Sequence, residues 1–94
     1  MTLEVLTPDE VLFTGTISQV ILPGLDGSFG ILDNHSPLIS ALSEGNVKVD
    51  QDTEANKSFK GRLNSEFSAD AQFSFPIKGG VVEVSENKVL VLAE

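Results

Sequence analysis

Gly27-Ser28-Phe29-Gly30-Ile31-Leu32-Asp33-Asn34-His35-Ser36-Pro37-Leu38 reads as a strand held between two pieces of punctuation. Gly27 and Gly30 permit backbone torsions that a β-carbon forbids, while Phe29 and Ile31 alternate onto one face. Asp33-Asn34 supplies turn chemistry, and Pro37 biases Ser36 towards extended geometry. Small, polar and apolar residues are packed too densely here for an ordinary solvated loop. That density predicts a surface with something other than solvent against it.

Outward from this stretch the period stays at two. Leu3 and Val5 alternate before Thr7-Pro8-Asp9-Glu10 turns the chain. Val11-Leu12-Phe13 opens an apolar run that Gly15 interrupts, and Ile17 to Leu22 continues it to the stop at Pro23-Gly24. Val47 and Val49 flank Lys48, and Phe73, Phe75 and Ile77 form a further alternating piece. Val81 to Val84 and Val89 to Leu92 are joined by Ser85-Glu86-Asn87-Lys88, which predicts a terminal hairpin. Eight or more short strands at this spacing predict an all-β sandwich or flattened barrel. The one helical candidate, Leu38 to Leu42, is too short to shape the fold. Between about Asp50 and Ala71 the large apolar residues thin to Phe59, Leu63 and Phe67. Their spacing suits one helical face, and a long polar hairpin suits the stretch equally.

Composition bounds the function. A chain of 94 residues suits one domain with one core. No cysteine is present, which excludes a disulfide framework and thiolate metal ligation. Met1-Thr2-Leu3-Glu4-Val5 shows no basic region or apolar stretch of a signal peptide, and no run approaches the ~20 residues that span a bilayer. A cytosolic protein is the simplest reading. The net charge of −8 opposes binding to nucleic acid or an anionic lipid surface and suits a basic partner. The basic cluster Lys57, Lys60 and Arg62 is diluted by Glu54 and Glu66 and reads as a solvated loop.

Candidate chemistry is thin. His35 is the sole histidine, and its neighbours Asp33 and Ser36 are adjacent in sequence, whereas a triad converges from separate elements. Asp50, Asp52 and Glu54 resemble half a calcium loop without its glycine and bidentate glutamate. Gly24, Gly27 and Gly30 recur every third residue, but no Lys-Ser/Thr follows to hold a phosphate, so turn glycines explain them better. The triplets at Asn34 and Asn56 are chance glycosylation matches without a secretory signal. No catalytic, cofactor or metal site is expected.

The central stretch is followed by Gly79-Gly80-Val81-Val82-Glu83-Val84 and by Asn87-Lys88-Val89-Leu90-Val91-Leu92-Ala93-Glu94. Together these closely resemble the N-terminal domain of the epsilon subunit of bacterial F-type ATP synthases. That family carries a Gly-x-x-Gly-Ile strand, His-Ala-Pro-Leu, then Gly-Gly-x-x-Glu-Val before an Asn-centred turn and Val-x-Val-Leu-Ala. Ser36 stands here for the usual alanine, a small-for-small change. Leu3 to Pro8 and Phe13-Thr14-Gly15 fit the same template, so the match covers roughly 3–49 and 72–94.

The resemblance implies a ten-stranded β-sandwich at the foot of a rotating central stalk. Such a domain binds the gamma subunit, rests on the ring of c subunits, and turns with the rotor without performing chemistry. It is peripheral to the cytoplasmic face of the bacterial membrane, part of a hetero-oligomeric complex, and carries no cofactor. Carried over by position, Thr7 and His35 lie where the family faces gamma, and Gly27, Ser28 and Phe29 lie on the loop that meets the c ring. Phe29 is equally readable as a core residue. The family's C-terminal helical hairpin has no counterpart before Glu94, so neither its inhibitory role nor its ATP site is expected. The polar stretch at about 52–66 is an insertion relative to the family within a single 1–94 domain. A free-standing β-sandwich ligand-binding module is the alternative, which the lack of Trp and Tyr platforms disfavours.

Overall fold

Alternating apolar residues need a common side to bury, and pairing the alternating pieces supplies one. In the computed structural model, which describes residues 1–52, 55, 62–63 and 71–94, eight strands form. They are β1 (Thr2–Leu6), β2 (Val11–Gly24), β3 (Gly27–Leu32), β4 (Leu38–Leu42), β5 (Gly45–Gln51), β6 (Gln72–Ile77), β7 (Gly80–Ser85) and β8 (Lys88–Ala93). The all-β class agrees with the sequence. The expected ten strands are eight among the described residues.

Part of that difference lies in β2. Gly15 does not interrupt it but pairs with Leu3 inside a continuous 14-residue strand. Its first half pairs with β1, and its second half pairs with β3 on one side and β5 on the other. One long strand therefore serves both halves of the fold. Leu38 to Leu42 is a strand too, because five residues cannot nucleate a lasting helix while five partners wait on β7, from Leu38↔Val84 to Leu42↔Gly80. The strand order is β1-β8-β7-β4-β2-β5-β6, with β3 beside β2 and β1 also paired to β2, so the sheet closes on itself. β1 and β8 run parallel.

The inward positions of both halves make one core. Leu3, Val5, Val82, Val84, Val89 and Val91 come from β1, β7 and β8, and Val20, Leu22, Ile31, Val47 and Val49 from β2, β3 and β5. Phe13 on β2 meets Phe73 on β6 with ring centroids 5.3 Å apart, tying the end strand β6 to the β1-paired half of β2 across the core. Leu63 is also buried in this core, and Arg62 Nε lies 2.9 Å from Glu10. Phe59 and Phe67, with Lys57, Lys60, Glu54 and Glu66, lie outside the described residues, and so does the choice between a helical face and a polar hairpin there.

The three expected turns form. At β1–β2, the Thr7 N–H donates to the Glu10 carbonyl at 2.9 Å. At β7–β8, Glu86 and Asn87 take φ of 51° and 60°, the two left-handed residues of a type I′ hairpin. Asn34, at φ 62°, donates its N–H to Asn87 Oδ1 at 2.7 Å, which ties the turn after β3 to the terminal hairpin.

Candidate functional site

Pairing register decides which residues share a face. On β1, β8, β7 and β4 the inward residues are spent on the core, and their neighbours point outward in level rows. One row runs Ala41, Val81, Leu92, Leu6, Val11 across five strands. The next runs Ile39, Glu83, Leu90, Glu4, Thr14, and a third runs Ser85, Lys88, Thr2, Thr16. The face thus grades from apolar to polar along the strands. Of the exposed large hydrophobics among the described residues, Val11, Leu25, Leu32, Ile39, Val81 and Leu92, four belong to it, with Ile39 73% exposed.

The opposite outward face is polar. Its rows place Gly30, Ile21, Lys48 and Ser74 together, then Leu32, Gln19, Asp50 and Gln72. The two faces differ in degree: here Ile21 and the exposed Leu32 stand singly among polar neighbours, whereas the other face carries a contiguous apolar row. That asymmetry makes the β1–β8–β7–β4 face the candidate docking surface.

Thr7 and His35 lie at opposite ends of this face. Thr7 follows Leu6, which is level with Leu92, whereas His35 precedes Leu38, level with Val84, and its neighbour Asn34 is bonded to the β7–β8 turn. At ~3.3 Å per residue the separation is on the order of 20 Å, so the structure does not bring them together. The Thr7 hydroxyl is engaged locally: it accepts from the Glu10 N–H at 3.2 Å and lies 3.3 Å from the Glu10 carbonyl. His35 is exposed, with Nδ1 2.8 Å from the Ser36 carbonyl.

Gly27, Ser28 and Phe29 do stand together, at the tip of the β2–β3 hairpin where Gly24 pairs with Gly27. The Phe29 ring folds back over Gly24, where a β-carbon would come within 2.8 Å of it, and packs half-buried against the core. The apolar group that the tip presents is instead Leu25, 68% exposed. A shallow cleft of about 370 Å³ separates this hairpin from Ser40 and Ala41, so the tip adjoins the apolar row. Gly24 also pairs with Leu42, which places the tip at the Thr7 end of the face.

Sequence reasoning passed over Leu25, Ile39, Val81 and Leu92. A signal was present. Val89 to Leu92 and Val81-Val82 are apolar on both faces of their strands, and a two-layer fold can bury only one.

The profile of the family described as ATP synthase, Delta/Epsilon chain, beta-sandwich domain matches residues 1–61. The ATP synthase epsilon chain of Chlorobium limicola is 37% identical over 92 residues, covering 98% of this chain and 86% of that one. That of Desulforamulus reducens is 35% identical over 92 residues, and there the match covers 57% of the relative. A chain in the central stalk and c ring of the Tetrahymena thermophila mitochondrial ATP synthase superposes with a TM-score of 0.69 at 21% identity, over 99% of this chain and 62% of that one. A chain in the Euglena gracilis mitochondrial ATP synthase gives 0.71 at 18%, over 97% and 48%. At those identities the two structures speak to the fold.

Proposed function

Because the chain belongs to the ATP synthase delta/epsilon family through its β-sandwich domain, we propose that it is a non-catalytic central-stalk subunit joining gamma to the c ring. The observation that carries this reading is the apolar row Ala41–Val81–Leu92–Leu6–Val11, which the fold leaves uncovered. Gamma covers it, with Thr7 and His35 at its two ends. The tip at Gly27, Ser28 and Phe29 meets the c ring, presenting Leu25 beside them. Both contacts belong to one rigid body, so rotation of the ring reaches gamma without being absorbed between them. Proton or sodium flow is thereby coupled to ATP synthesis. The subunit sits peripherally at the cytoplasmic face of the membrane and does no chemistry.

The test is co-purification with the gamma subunit of the same organism, read by light scattering. A one-to-one complex is expected, burying on the order of 1,600 Å² in total. His35→Ala should melt with the parent chain, since His35 is exposed and outside the core, and should bind gamma several-fold more weakly. Indifference of the parent chain to gamma at tens of micromolar would leave the ligand-binding module as the better reading.

A further inference from the structure

Glu83 stands in the middle of the docking face, level with Ile39 on one side and Leu90 on the other. Its strand neighbours on the same face are Val81 and Ser85. Among the described residues it makes no ion pair, whereas Glu4 in the same row is 4.0 Å from Lys88. A shallow, open cleft of about 470 Å³ lies beside it, lined by Pro37, Leu38, Ile39, Glu83, Val84 and Ser85. A second, of about 280 Å³, opens on its other side towards Lys88 and Leu90.

We propose that Glu83 is the specificity contact of this face, receiving one basic side chain from gamma that lies in the Pro37–Ile39 cleft. The inference rests on the reading of gamma as the occupant. A partner that covers the row removes Glu83 from water, and a carboxylate desolvated without a counter-charge opposes binding. A basic side chain laid in this shallow cleft prevents that. Pro37, Leu38 and Ile39 offer apolar surface to the methylene stem of a lysine or arginine whose charged head meets the Glu83 carboxylate. The row of apolar side chains supplies area with little directional content. A single ion pair among them fixes the register in which two such surfaces meet.

The experiment measures affinity for the same organism's gamma subunit at about 50 and 500 mM salt, using the parent chain, Glu83→Gln, Glu83→Lys and Glu44→Gln. Glu44 is exposed and lines a different cleft, at the opposite end of the sandwich, so its variant controls for loss of net charge. Glu83→Gln keeps shape and removes charge; it is expected to bind at least tenfold more weakly at 50 mM salt and to keep most of that deficit at 500 mM, because a covered ion pair is screened little. Glu83→Lys is expected to lose binding, and Glu44→Gln to stay within twofold of the parent. Equal affinity of Glu83→Gln and the parent chain overturns the ion pair and leaves the gamma reading standing. Tighter binding by Glu83→Gln overturns it as well, since the carboxylate would then be a cost. Failure of the parent chain to bind overturns the gamma reading and this inference with it.

Discussion

Gly80 has φ of 149°, and a β-carbon there would run into the Leu92 carbonyl oxygen and approach Ala93 Cα to 3.1 Å. Both obstacles are backbone of the paired strand β8, so neither can swing aside. Gly80→Ala therefore combines strain in a region of torsion space nearly reserved for glycine with a displaced strand, at a cost of roughly 3 kcal/mol. In a domain of this size that lowers the melting temperature by on the order of 15 °C. Gly30→Ala makes the contrast, since the nearest atom to its β-carbon is the end of the Gln19 side chain at 3.5 Å. A gain of about 0.5 kcal/mol is expected there. Thermal unfolding of the two variants checks both signs. The sequence shows each glycine equally well but not which of them faces a neighbouring backbone. That depends on the register between β7 and β8, and the Gly-Gly pair becomes intelligible once Leu92 and Ala93 are placed against it.

Elements were legible in proportion to how locally they are determined. The β7–β8 hairpin was, because its apolar runs and its Glu86-Asn87 turn lie in consecutive residues. β4 is not legible as a strand from its own five residues, because the residues that settle it, Gly80 to Val84, lie about forty positions away. The separation of Thr7 from His35 was out of reach for the same reason: it follows from β1 running parallel to β8, a pairing made only when the sheet closes. The turn itself offers a test. Glu86 holds φ of 51°, which costs a glutamate more than an asparagine. Glu86→Asn should stabilise the domain by about 0.5–1 kcal/mol and raise its melting temperature by roughly 3–6 °C. Asn87 is kept because its Oδ1 accepts the Asn34 N–H, and a glycine at position 87 would suit the turn while losing that bond. An unchanged or lower melting temperature for Glu86→Asn would show that the hairpin is not limited by its turn.

At the scale of the molecule two properties meet, a closed sheet and a charge of −8. Closure makes the body stiff: β2 is hydrogen-bonded into both halves, and the core between them is packed like a solid, so force applied at the β2–β3 tip is carried to the far face. Charge acts in the other direction on the isolated chain, since 14 acidic side chains against 6 basic ones repel one another in the folded state. The same excess draws in a basic partner. Salt therefore has opposite effects on stability and on assembly. Between about 20 and 500 mM the screening length shrinks from roughly 20 Å to about 4 Å, so self-repulsion is relieved and the melting temperature of the free chain should rise by a few degrees. If gamma is the proposed occupant, the association rate with it should fall by about tenfold over the same range, while the dissociation rate, set by the apolar row once covered, should change much less. Stopped-flow association and thermal melts at matched salt concentrations read both. An association rate that ignores salt would mean that the surface meeting this face is not basic, and the charge balance would then serve solubility alone.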